Sequence, residues 1–171
     1  MGDYLTHHAT AAHMGSLVAT FCVLLTLTGL AVMGAWLVYV DMRDHRLPGA
    51  VVRPMWVGTA VLLSAAAFLS GEPGRLFGML CGSLGLWGLY RSLRAVSRGA
   101  LGLGDVRLAG LLGTALGFFS LWIVVWAAVL GFVVGGLYAL VLLMVRRVGL
   151  HDRVPFGPAM LTGTALVLIF G

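Results

Sequence analysis

A chain of 171 residues is long enough for one domain, and 60% of it is hydrophobic while only 10% is charged. A soluble domain carries about 25% charged residues, so composition excludes an ordinary soluble protein and points to an integral membrane protein. The net charge of +5 comes from eleven arginines with no lysine. They are split among short segments between apolar runs, which argues for membrane topology and against a nucleic-acid partner.

Residues 1–14 read as a short polar tail. Its His7, His8 and His13 have nothing nearby to complete a metal site. Residues 15–171 read as one all-α, polytopic, membrane-embedded domain of about six transmembrane helices. The first apolar run, 16–40, is long enough to span a bilayer. It is too long for a signal-peptide core and has no basic region before it. It ends at Asp41, and a polar loop follows with Arg43, Asp44, His45, Arg46 and the turn Pro48-Gly49. Pro54 is expected to open the second span, about 54–70, because proline is tolerated in the first turn of a helix.

A tight turn over Ser70–Arg75 leads to the third span, about 75–90. A basic loop with Arg91, Arg94 and Arg98 then runs into Gly99–Asp105. The fourth span, about 105–118, is short, and Gly117-Phe118-Phe119-Ser120 predicts a bend. The fifth span is about 121–145. The last, about 154–171, opens with Pro155-Phe156-Gly157-Pro158. Cys22 and Cys81 both fall inside apolar runs, without metal or redox spacing, and read as packing residues.

The arginines orient this chain. With the Asp41 loop cytoplasmic, alternation puts ten of the eleven arginines inside and leaves only Arg75 outside. The positive-inside rule favours that arrangement, with both termini extracytoplasmic. It also requires the break at 117–120.

Asp41 and Asp105 then lie at the same depth, one ending the first span and one beginning the fourth. A carboxylate in or near a membrane is costly and marks function by default. If the two spans are neighbours, the carboxyl groups can face each other and share a proton. One acts as base and the other as acid, which is what activating a water against a peptide carbonyl requires. No cofactor and no metal are called for. Taken alone, Asp105 reads as a helix cap, and Asp44 reads as a loop ion pair. A small proton-coupled transporter is the rival from another class, but it predicts acids inside the spans, where none occur.

At these residues the sequence resembles the prepilin peptidase family, the Gly-x-Gly-Asp intramembrane aspartic proteases. Val40-Asp41-Met42-Arg43-Asp44-His45-Arg46-Leu47-Pro48 is similar to the family's first catalytic segment. Gly102-Leu103-Gly104-Asp105-Val106-Arg107-Leu108 resembles its Gly-x-Gly-Asp-Val-Lys-Leu. Pro155-Phe156-Gly157-Pro158 resembles the start of its last helix. Gly49 and Arg107 depart from the family pattern, which often has Asn or Asp after the Pro and Lys in place of Arg107. Arg and Lys are not interchangeable in fine positioning. Presenilin-type relatives place Tyr directly before the first Asp; here Val40 holds that place.

The resemblance implies that Asp41 and Asp105 are catalytic and that Gly102, Gly104, Pro48, Arg107, Pro155, Phe156, Gly157 and Pro158 position them. It implies an endopeptidase in the bacterial inner membrane, cutting the leader of a prepilin or pseudopilin on the cytoplasmic side. Asp44 is a candidate contact for the basic leader. The family's larger members carry a Cys-x-x-Cys region linked to N-methylation, and without one methyltransferase activity is not expected here. A non-catalytic assembly factor with the same fold is the remaining alternative. The sequence carries no signal for oligomeric state.

Overall fold

The computed structural model describes residues 14–44, 49–97, 101–144 and 156–170, and among them every element is a helix. In chain order these are α1 (Met14–Asp44), α2 (Gly49–Leu69), α3 (Arg75–Val96), α4 (Leu103–Gly117), α5 (Leu121–Met144) and α6 (Gly157–Phe170). α1, α2 and α5 are long and apolar enough to cross a membrane, while α6 is a shorter apolar helix. Large apolar side chains cover the outside, among them Phe68, Phe77, Trp122 and Val133. A surface of that kind suits lipid rather than water.

Several boundaries differ from the expected ones for physical reasons. α3 does not end at Tyr90 but runs on to Val96, so Arg91 and Arg94 are helical rather than in a loop. Cations near a helix C-terminus interact favourably with its dipole. α2 starts at Gly49, so Pro54 lies inside it and does not open it. Near the helix start the missing N–H costs only a bond to the Ala50 carbonyl, and the ring is exposed. The expected bend is present: α4 stops at Gly117 and α5 begins at Leu121.

α4 is the hub. Val106 and every residue from Leu108 to Phe118 are buried. One core cluster gathers Leu37 of α1, Val52 of α2, Leu86 and Tyr90 of α3, Val124 of α5 and Met160 of α6 around Leu108–Leu116. A second, toward the other end, joins Val23, Leu63, Ala66 and Met79 to Ala115 and Phe118. Between apolar helices in lipid there is little hydrophobic drive, so close backbone packing matters more.

Glycines supply that packing between α3 and α4. A Cβ on Gly82 would lie 2.4 Å from the Gly113 carbonyl oxygen, and one on Gly117 would lie 2.3 Å from that of Gly78. The Ser83 hydroxyl donates to the Gly110 carbonyl at 3.2 Å across the same seam. The α5–α6 seam is similar, since a Cβ on Gly163 would lie 2.5 Å from the Gly131 nitrogen.

On another side of α4, Trp56 of α2 lies over Gly110 and donates from Nε1 to the Thr114 hydroxyl at 2.8 Å. The turns at one end are clasped by Arg75. It pairs with Glu72 at 2.5 Å, donates to the Phe118 carbonyl at 2.9 Å and stacks on the Phe118 ring.

Candidate functional site

The site lies at the opposite end of the helices from the Arg75 clasp. Asp105 occupies the first turn of α4 and Asp41 the last turn of α1. Both are buried, at 4% exposure for Asp41 and 7% for Asp105. They are close enough for the charge of Asp41 to act on Asp105. The helices that carry them share core side chains but not a backbone seam: among the described residues α1 makes no close backbone approach to α4. α2 and α6 contact both helices and hold them on either side of a gap.

Local structure fixes Asp105. The Gly102 N–H donates to its Oδ2 at 3.3 Å, so the carboxylate caps its own helix from the third position. This is half of a capping box, because Gly102 has no side chain to return the bond. Gly102 has extended backbone, with φ −66° and ψ 147°. Its value is space rather than backbone freedom. A Cβ there would sit 3.1 Å from Asp105 Oδ2, tight enough to push the carboxylate away. The cap expected for Asp105 read alone is therefore present, alongside the juxtaposition with Asp41.

Two residues that the sequence reading gave no site role also bear on Asp105. Arg94 donates from Nη1 to the Leu101 carbonyl, tying the end of α3 to the residue before Gly102. Its charge acts on Asp105 as well. Tyr90 is 1% exposed and electrostatically coupled to Asp105. Its ring stacks on Phe132 at 5.4 Å and meets Phe156 at 6.0 Å, and Phe156 meets Phe132 at 5.6 Å. Phe156 lies against Gly135, where a Cβ would be 2.4 Å from the ring. The third motif thus reaches the acids through an aromatic cluster. A tyrosine one turn before an arginine, on the helix feeding the Gly-x-Gly-Asp turn, was the available signal.

The other candidate positions are more dispersed. Gly104 and Arg107 are half-buried on the first turns of α4; Gly157 is buried and Pro158 half-buried at the start of α6. Asp44 belongs to α1, but its side chain lies outside the described residues, as do Pro48 and Pro155 altogether. Among the described residues no three His, Cys, Asp or Glu side chains converge. The chemistry follows from the two acids. Buried carboxylates that repel each other are poised to hold one proton between them, and such a pair can accept and donate a proton in one reaction.

An apolar cleft of about 330 Å³ fills the gap between α1, α4 and α6. Leu30, Gly34 and Val38 of α1 line it with Leu112 and Leu116 of α4 and Ala165 of α6. Val38 is one helical turn from Asp41, and Leu112 is two turns from Asp105.

Comparison with curated proteins gives one consistent set of relatives. The chain is 33% identical over 137 residues to the prepilin leader peptidase/N-methyltransferase of Burkholderia pseudomallei, covering 77% of this chain and 42% of that protein. It is 32% identical over 151 residues to the protein of the same name in Dickeya chrysanthemi, covering 82% and 52%. To that of Aeromonas salmonicida it is 28% identical over 137 residues, covering 79% and 45%. The matched region spans about half the length of these curated relatives. No family model matches the chain and no solved structure matches it.

Proposed function

We propose that this chain, a homologue of the prepilin leader peptidases, is an intramembrane aspartic endopeptidase. Its substrate is a prepilin or prepilin-like protein, in which a short basic leader precedes an apolar helix. The observation that carries the reading is the pair of buried carboxylates, Asp41 and Asp105, brought from two separate helices into electrostatic contact.

The pair works with one proton. The ionised carboxylate takes a proton from water as the water oxygen attacks the scissile carbonyl carbon. The protonated partner donates to the carbonyl oxygen. As the tetrahedral intermediate collapses, the C–N bond breaks, the leaving nitrogen takes the proton that the base gained from water, and the now ionised partner takes back a hydroxyl proton from the intermediate. Asp105 Oδ2 is engaged by the Gly102 N–H, so proton exchange at that residue is assigned to Oδ1. The dyad titrates as a unit, and either residue can start as the base.

In this reading six helices cross the bacterial inner membrane and both termini are extracytoplasmic. The arginine bias supports a cytoplasmic position for the acids. Arg43, Arg53, Arg91, Arg94 and Arg107 are at the acid end of the helices, and Arg75 is at the other.

The test is processing of a synthetic prepilin-type substrate by the purified protein in detergent, followed as leader removal on a gel. Asp41→Asn and Asp105→Asn are each expected to lower the rate at least about 100-fold, since an amide cannot exchange the proton. Processing at the wild-type rate by either variant overturns the assignment.

A further inference from the structure

We infer that the cleft between α1, α4 and α6, which begins one helical turn from Asp41 and two from Asp105, is the docking groove for the apolar helix of the substrate. The inference rests on the peptidase reading and adds where the substrate lies. Along α1 the cleft extends from Val38 to Leu27, a rise of about 16 Å. Ala31, Ala35, Thr162 and Ala165 line it and are exposed, so it is open along its length rather than enclosed. Its polar lining is muted: the Thr162 hydroxyl donates to the Pro158 and Ala159 carbonyls of its own helix. At about 330 Å³ it takes the side chains of one helix face rather than a whole helix. That is the helix-in-groove mode, with anchors spaced at i, i+3, i+4 and i+7.

Complementarity selects the occupant. Along α1 the protein changes within one turn from the carboxylate of Asp41 to a wall beginning at Val38 that is apolar apart from Thr162 and Thr164. A peptide that changes from cationic to apolar at its scissile bond matches that sequence of surfaces, with the bond falling at the acids. The cavities lined by Gly71–Gly78 with Gly117–Leu121, and by Trp122, Trp126 and Phe170, lie at the far end of the helices. A helix starting at the acids does not begin there. Membrane lipid is the competing occupant, and the experiment separates the two.

Ala35→Trp and Ala165→Trp each fill an exposed alanine position in the groove, so the added ring enters open space. Both are assayed in proteoliposomes on a synthetic substrate with a basic leader and an apolar helix. The expected result is a KM raised about tenfold with kcat retained. Unchanged KM, or a fall in kcat alone, overturns the groove while leaving the peptidase reading intact. A wild-type protein that cleaves nothing overturns both.

A photoreactive benzoylphenylalanine in place of Ala35, in the Asp105→Asn background, gives a second readout that does not depend on turnover. Crosslinks to the apolar helix of the uncleaved substrate support the groove. Crosslinks to lipid alone, or to the leader alone, overturn it.

Discussion

On one side of α4 the backbone of α3 is so close that glycines 78, 82, 113 and 117 leave no room for a methyl group. On the other side α1 stays away, and an apolar cleft takes the space where a packed helix would be. One helix therefore has a face closed by tight glycine packing and a face left open. The closed face holds Asp105 still, through the α3 seam, the Gly102 N–H and the Arg94 tie to Leu101. The open face separates it from the helix that carries Asp41. A site for a large apolar substrate needs both: one acid fixed by packing, and room beside it.

The contrast breaks most sharply at the closed face. Gly82→Leu drives a side chain into the Gly113 carbonyl, 2.4 Å from the new Cβ. A loss of about 3 kcal/mol or more is expected, read as a lower thermal midpoint in detergent. Gly85, one residue off that seam on the same helix, has nothing within 4 Å of a Cβ. Gly85→Ala is therefore expected to be neutral or stabilising by up to about 1 kcal/mol. Equal effects at the two positions would mean that the seam is not the source of rigidity.

A smaller and more selective effect is expected at Gly102. Alanine suits its backbone angles but crowds Asp105 Oδ2. Gly102→Ala should lower substrate processing about tenfold, through displacement of one carboxylate, while the thermal midpoint barely moves. A large loss of stability would show the glycine to be structural instead. The smallest effect belongs to Trp56→Phe, which keeps an aromatic ring over Gly110 but deletes the bond to Thr114. Hydrogen bonds between membrane helices average about 0.6 kcal/mol, and a shift of that size in the unfolding free energy is expected.

Much of the helical order was legible in the sequence because polar and glycine-rich breaks interrupt long apolar runs. The 117–120 bend has almost no charge, and the arginine alternation still required it. Asp41 and Asp105 stood out because the chain has only six acidic residues. Three things were hidden. The length of α3 was misread because Arg91 and Arg94 resemble loop residues, yet charged side chains are well placed near a helix C-terminus. The pairing of helices was also concealed: whether the spans of Asp41 and Asp105 are neighbours is only a condition in the sequence, because hydropathy contains no information about which apolar faces meet. The spacing of Gly78 with Gly82, and of Gly113 with Gly117, did contain it, as small residues four apart on facing helices. Tyr90 escaped notice because an aromatic residue inside an apolar run looks like lipid-facing filler until its burial is known.

The burial of α4 has one more consequence. Its 15 residues rise only about 22 Å, against a hydrocarbon layer of about 30 Å. A helix that short, bathed in lipid, would force the bilayer to thin around it. Enclosed by its neighbours except where Leu112, Ala115 and Leu116 line the cleft, α4 has little surface with which to deform lipid, and matching the membrane falls to α1, α2 and α5.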